Sequence, residues 1–203
     1  MLPETQKYNL PDFTVFHSNK DVDHFIWRPD RRYIVLGRSN KAETALHIDE
    51  VLKDNIEVYK RPSGGQTVLL STNTLVISVK LKIKNTLDTH KYFDIINKKI
   101  IDSLSVLGVE YLCMKGISDI SIGEKKILGS SIFRKKETLF YHAVLNVSES
   151  VNVIAKYLKH PSKEPDYRKG RNHMDFVTSI YAEGYELDFD KISDAIKQGI
   201  KKL

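Results

Sequence analysis

Asp119-Ile120-Ser121-Ile122-Gly123-Glu124-Lys125-Lys126-Ile127-Leu128-Gly129-Ser130-Ser131-Ile132-Phe133 reads as strand, turn, strand. Asp119 to Ile122 alternates polar and apolar residues, Gly123-Glu124 supplies a tight turn, and Lys126 to Phe133 resumes an extended run. A further run, Thr138 to Val147, follows the turn at Lys135-Lys136-Glu137, and Val109 to Met114 precedes the whole. Successive strands joined by short turns pair antiparallel.

Working outward, Tyr33 to Leu36, Ile56 to Tyr59, Val68 to Leu70 and Leu75 to Leu81 are strand-like, with a helix expected over Ala42 to Asn55. Lys91 to Leu107 is the clearest helix, because Phe93, Ile96, Ile100, Leu104 and Leu107 recur at spacings of three and four and Gly108 sits where a C′ residue belongs. Ser148-Glu149-Ser150 is placed to cap a short helix over Val151 to Leu158. Residues 159 to 175 read as loop, and Asp190 to Leu203 as an amphipathic helix carrying Ile192, Ile196 and Ile200 on one face. This order is mixed rather than a strict β-α-β alternation. It predicts an α+β domain with a mixed, largely antiparallel β-sheet packed with helices, and G-x-G-x-x-G and Walker A patterns are absent.

The 203 residues fit one domain, and a 41% hydrophobic fraction can bury a core. No run of apolar residues is long enough for a membrane span, and Met1 to Leu10 lacks a signal-peptide core. One cysteine, Cys113, leaves no intrachain disulfide framework, so a reducing, cytoplasmic compartment is expected. The formal charge of +6 suits an acidic partner or a phosphorylated ligand without arguing for nucleic acid.

Lys60-Arg61-Pro62-Ser63-Gly64-Gly65-Gln66-Thr67-Val68 joins two strands with a hydroxyl and two glycines on the turn. Such a turn can form an anion-binding nest, and Arg61 adds a fork of donors suited to phosphate or carboxylate. A plain hairpin with a solvated arginine reads equally well. Lys126 by spacing is a solvated turn lysine, Asp119 a turn cap and His142 a core or pocket-edge histidine. Cys113 has no adjacent histidine to activate it and reads as an inert thiol. The basic run Lys156, Lys159, Lys163, Arg168, Lys169 and Arg171 is either a docking face for an acidic domain or a solvated loop.

Taken together, Gly37-Arg38-Ser39-Asn40, Arg61-Pro62-Ser63-Gly64-Gly65, Asp119 to Ser131 with its K-x-x-G-S run, His142-Ala143-Val144-Leu145 and Val177-Thr178-Ser179-Ile180 resemble, in order and spacing, the lipoate-protein ligase A family of the biotin/lipoate ligase superfamily. The resemblance implies a catalytic domain of the class II synthetase/biotinyl-lipoyl ligase type over residues 1–203, with the family's C-terminal accessory domain absent or supplied by another chain. It implies that lipoate, or octanoate, is activated with ATP and Mg2+ to an acyl-adenylate and passed to a lysine of a lipoyl carrier domain. The carriers would be a 2-oxoacid dehydrogenase acyltransferase subunit or the glycine cleavage H protein, with neither nucleic acid nor membrane as partner. Lys126 matches the family's essential lysine. Arg61, Ser63, Gly64, Gly65, Val68, Gly129, Ser130, Ser131, His142 and Val144 match positions along the acyl chain and adenylate, with Val35, Val68 and Val144 lining the apolar tunnel. Asp119 matches a position that holds the adenylate or a metal. The chain departs from the family at Leu70-Ser71 and Asn73-Thr74, where the pattern has His-Asp and Gly-Asn, and no N-x-A-x-[DE]-E helix is recognisable in residues 1 to 30. Two other readings remain open here: an ATP-independent octanoyl or lipoyl transferase acting through Cys113, and a non-catalytic lipoate- or adenylate-binding module. The G-R-G-R-x-G-R loop of biotin ligases is absent.

Overall fold

The computed structural model describes residues 1–83 and 89–203. Its larger sheet has six strands in the order β2-β6-β10-β9-β8-β7, every neighbouring pair antiparallel. The strands are β2 (Val22–Trp27), β6 (Thr74–Lys82), β7 (Leu112–Lys115), β8 (Asp119–Ile122), β9 (Lys125–Lys135) and β10 (Thr138–Asn146). Strand side chains alternate between faces, and here the two faces serve different ends. Leu75, Ile77, Val79, Tyr141, Ala143, Leu145, Ile120 and Leu128 point to one side, into a core with Ile96, Ile100 and Leu104 of α3 (His90–Val106) and Ile192, Ile196 and Ile200 of α6 (Phe189–Ile200). Val76, His142, Val144, Gly129 and Asp119 face the other way, towards a cavity.

α3 stops where its sequence says it should. The Gly108 amide donates to Ser105 O and that of Val109 to Leu104 O, with Gly108 at φ +88°, which is the paired-bond ending that favours glycine. α6 is capped by the Asp188 carboxylate, which accepts from the Asp190 and Lys191 amides.

The smaller sheet runs β1 (Thr5–Lys7), β4 (Glu57–Lys60), β3 (Tyr33–Leu36), β5 (Val68–Leu70). β1, β4 and β3 are parallel, and β5 is antiparallel to β3. Ile34, Leu36, Val58 and Leu69 on one face pack with Leu46, Val51 and Tyr157. Tyr33, Val35, Tyr59 and Leu70 on the other meet Tyr8 and Val76, between the sheets. The α+β class and the mixed, largely antiparallel pairing thus hold, but in two sheets rather than one.

Three local expectations need correction. The helix expected over Ala42 to Asn55 is two short helices, α1 (Ala42–Ala45) and α2 (Ile48–Lys53), because Leu46 forms an isolated bridge with Leu158 and the His47 amide donates to Tyr157 O. That distant pairing pulls Leu46 into extended geometry. Ser150 stands at the N-cap of α4 (Val151–Tyr157), but its hydroxyl makes no cap bond. Residues 159 to 175 contain a 3-10 turn (Asp166–Arg168) and the start of α5 (His173–Phe176), which Asn172 caps by accepting from the Asp175 amide. Among the described residues no helix is long and apolar enough to cross a membrane.

Ile196 is fully buried between α6 and the large sheet. Ile196→Ala is expected to lower the unfolding free energy by about 2–5 kcal/mol, read from urea unfolding, with the slope unchanged.

Candidate active site

In the sheet register Val76 lies opposite Val144, Val144 opposite Gly129, and Gly129 opposite Asp119. Directly opposed residues share a face, so these four form a row across three strand spacings of ~4.8 Å, roughly 14 Å from apolar to acidic end. Lys126 is three residues before Gly129 and on a regular strand would face away from it. A bulge prevents this. Ile120 pairs with Leu128 but Ser121 pairs with Lys126, which leaves Ile127 as an extra residue. Ile127 and Leu128 are both buried in the helix-side core, and Lys126 returns to the face of Asp119. Its Nζ lies 2.9 Å from Asp119 Oδ1. A Cβ on Gly129 would sit 2.7 Å from Lys126 Nζ and 2.8 Å from Cε, so glycine is what lets the lysine lie flat across the strand. On its far edge the Lys126 carbonyl accepts from the Thr178 amide, which joins the Val177-Thr178-Ser179-Ile180 segment to the site.

The other oxygen of Asp119 accepts from Tyr167 Oη at 2.8 Å. Burial, then the Asp119 charge, raises the Tyr167 phenol well above its ordinary pKa, so it stays a donor. Tyr167 belongs to a strap over the cavity. Its ring rests where a Cβ on Gly116 would come within 3.3 Å, and it packs on Phe176 at 5.1 Å. Arg168 and Arg171 hold the strap. Arg168 Nε donates to Arg171 O, Arg171 Nη2 to Tyr167 O and Nη1 to Glu124 O, and both guanidinium groups lie over the Phe176 ring. Lys156 is paired with Asp54 and Glu50. The basic run is therefore not one docking face. Lys156, Lys159, Arg168 and Arg171 are engaged within the chain, Lys159 through Nζ, which donates to Glu43 O, while Lys163 lines the cavity and Lys169 is exposed.

The opposite wall is a clasp of two loops. A Cβ on Gly37 would lie 2.0 Å from Gly65 O, so only glycine at 37 admits the 61–66 loop. The Arg38 amide donates to Ser63 O, and Asn40 Oδ1 accepts from the Gly37 amide and Thr67 Oγ1. Gly65 takes φ +83°. Arg61 is turned inward: Nη1 donates to Val35 O, Nη2 to Gly64 O and Gln66 O, and Nε to Ser63 Oγ. None of these acceptors is a carboxylate, and burial pushes its pKa down to about 10. The expected fork for phosphate thus ties the loop together instead, because carbonyls at hydrogen-bonding distance claim its donors. Ser63 Oγ lies 2.5 Å from His142 Nε2. Burial, and secondarily the charge on Arg61, pushes His142 down to about 3, so it is neutral at ordinary pH. Ser131 Oγ donates to Gly64 O and Ser130 Oγ to Ser118 O, so both hydroxyls pin backbone.

Between strap and clasp lies a cavity of about 960 Å³. Of the residues singled out in the sequence, Arg61, Gly65, Val68, Asp119, Lys126, Gly129, Ser130, Ser131, His142 and Val144 line it. Ser63 and Gly64 do not: Ser63 supports His142, and Gly64 borders a smaller neighbouring cleft. Tyr8, Val35, Val68, Leu70, Val76 and Val144 give it an apolar part, and Lys126, Asp119, Lys159, Lys163, Glu164 and Asp166 a charged one. A protein-held metal does not fit. Lys126 and Tyr167 take both Asp119 oxygens, and among the described residues no three His, Cys, Asp or Glu side chains converge. Cys113 is on the edge strand β7, away from the cavity lining, with its Sγ nearest Gly123 O at 3.5 Å. Tyr8 and Tyr167 escaped the sequence reading. Each is an aromatic in an otherwise polar stretch, which is the one signal they offered.

A family profile described as the lipoyl protein ligase A/B catalytic domain matches residues 13–201. The lipoate-protein ligase A of Psychrobacter cryohalolentis is 28% identical over 195 residues, covering 93% of this chain and 54% of that protein. A Thermoplasma acidophilum lipoate-protein ligase A subunit 1 is 23% identical, covering 92% of this chain and 73% of its own length. Among solved structures, a bi-partite archaeal lipoate protein ligase from Thermoplasma acidophilum, described with its E2 lipoyl domain, shares the fold at TM-score 0.78 and 20% identity, covering 100% of this chain and 83% of that one. A lipoate-protein ligase A bound with ATP does so at TM-score 0.78 and 21% identity, covering 99% and 83%.

His142 yields a pH test. In the unfolded chain it titrates near 6.5, in the fold near 3, so acid protonates the unfolded state first. Its share of stability is complete above pH 6.5 and is lost between pH 6.5 and 3. His142→Asn is expected to make the fall in stability between pH 6.5 and 4 shallower by up to ~1.4 kcal/mol per pH unit, measured by urea unfolding at each pH.

Proposed function

The chain belongs to the lipoyl protein ligase A/B catalytic domain family, and from that premise we propose that it is a lipoate-protein ligase. It activates lipoate or octanoate with ATP and passes the acyl group to a lysine of a lipoyl carrier domain. The observation that carries the reading is the Lys126 ammonium, held over Gly129 by Asp119 between an apolar recess and a charged, strapped wall. An anionic carboxylate and the ATP phosphates repel one another, and a fixed cation where they meet offsets that repulsion as charge develops.

The chemistry follows from the arrangement. The acyl tail lies among Val35, Val68, Val76 and Val144, which directs its carboxylate towards Lys126. A carboxylate oxygen attacks the α-phosphorus, the bond to the bridging oxygen breaks, and pyrophosphate leaves with that electron pair. The carrier lysine, as free amine, then attacks the acyl carbonyl. Lys126 stabilises the oxyanion, AMP leaves, and the amine proton passes to solvent. The lysine must exchange Asp119 for the phosphates, which Asp119 tolerates because Tyr167 still donates to it. Mg2+ would arrive on the ATP phosphates rather than on a protein cage, since such ions keep waters and phosphate oxygens as ligands. The ATP-bound and bi-partite relatives support nucleotide use, a lipoyl-domain acceptor and an accessory chain. The position of Cys113 outside the cavity weighs against a thioester route.

Mass spectrometry of a purified lipoyl domain incubated with the protein and lipoate is expected to show a lipoyl increment only when ATP and Mg2+ are present, with the accessory chain supplied if the protein alone transfers nothing. Lys126→Ala is expected to slow adenylation, followed by pyrophosphate exchange, by about a hundredfold or more, whereas Cys113→Ser should retain it. A folded Lys126→Ala protein that adenylates at the wild-type rate would sink the reading.

A further inference from the structure

The apolar part of the cavity is lined by a buried tyrosine outside every family motif in this chain. Tyr8 lines the recess with Val35, Leu70, Val76 and Val144, is 4% exposed, and sets its ring edge-on to His142 at 6.1 Å and to Phe13 at 5.7 Å. Its hydroxyl donates to the Asp12 carboxylate, at 2.8 Å from Oδ1 and 3.0 Å from Oδ2. Asp12 is fully buried and also accepts from Ser78 Oγ at 2.8 Å and Trp27 Nε1 at 3.2 Å. Three donors from three elements, β1's exit, β2 and β6, therefore meet one buried acceptor.

This is a rigid stop. A tyrosine closing an apolar recess needs a partner for its hydroxyl, and here that partner is anchored to the large sheet through Ser78 and to β2 through Trp27. Lys126 marks the reacting end of the row that begins at Val76. Tyr8 packs with Val76, and its hydroxyl reaches β6 and β2 through Asp12, so its distance from the lysine is set by bonds to the large sheet.

We propose that Tyr8, clamped by Asp12, is the gauge of acyl-chain length in this protein, confining it to unbranched acids of about octanoyl or lipoyl length. The proposal rests on the ligase reading and sharpens it. A longer chain would have to displace a ring whose hydroxyl is one of three donors to a buried carboxylate. A shorter one leaves apolar wall uncovered.

The test is acid-dependent pyrophosphate exchange with hexanoate, octanoate, decanoate and dodecanoate. Wild type is expected to peak at octanoate. Tyr8→Leu combined with Asp12→Asn, which removes the carboxylate that the tyrosine capped, is expected to raise the ratio of kcat/KM for dodecanoate over octanoate by about tenfold or more. An unchanged ratio in that folded variant overturns the proposal and leaves the ligase reading intact. If circular dichroism shows that variant unfolded, Tyr8→Trp decides: a shift of preference towards hexanoate supports the gauge, and an unshifted optimum overturns it. Wild type that exchanges pyrophosphate with none of the acids even when the accessory chain is supplied overturns the ligase reading, and the gauge with it.

Discussion

A strand gives its side chains to two faces in alternation, so Lys126 and Gly129, three apart, share a face only if the strand breaks step between them. Ile127 is that break. Its side chain and that of Leu128 both enter the helix-side core, where burial holds the bulge in place, and the backbone delivers the lysine to Asp119. Gly129 then leaves room for the ammonium, and Tyr167 brings the strap down on the other carboxylate oxygen. The K-x-x-G spacing is thus a statement about strand geometry. Core packing on one face of β9 determines the electrostatics on the other.

The clasp opposite shows a different economy of charge. Arg61 is a buried cation surrounded by carbonyl oxygens, and its nearest titratable neighbours respond to it. His142 is driven further towards the neutral form by that charge. Arg61 and Lys126 are therefore two cations that the fold holds in place in the cavity wall, the second against the carboxylate of Asp119. An anionic ligand entering between them meets favourable potential without any donor having to leave the loop.

Much of this was legible in the chain. The period of Phe93, Ile96, Ile100 and Leu104 and the stop at Gly108 describe α3 to within a residue, and the Asp119 to Phe133 hairpin is where its alternation puts it. What escaped depends on residues far apart in sequence. The helix at Ala42 is cut by a pairing with Leu158 that no local pattern announces. The bulge hides because Ile127 and Leu128 are both apolar, and either could be the inward residue. Arg61 resembles a free fork until the carbonyls around it are known. Tyr8 and Tyr167 sit in polar segments, and only the tertiary fold turns them inward.

The bridge between Lys126 and Val177 bears on the order of events during synthesis. Thr178 donates its amide to Lys126 O and Ile180 to Asn146 O, and both are made long after the hairpin they complete. A chain emerging from the ribosome can assemble β8, β9 and β10 first, since these contacts are local. The strap and the edge of the lysine's own strand follow only when the segment around Val177 has appeared. The strapped wall of the cavity is therefore completed only after the hairpin beneath it, and α6, which closes the large core, is made later still.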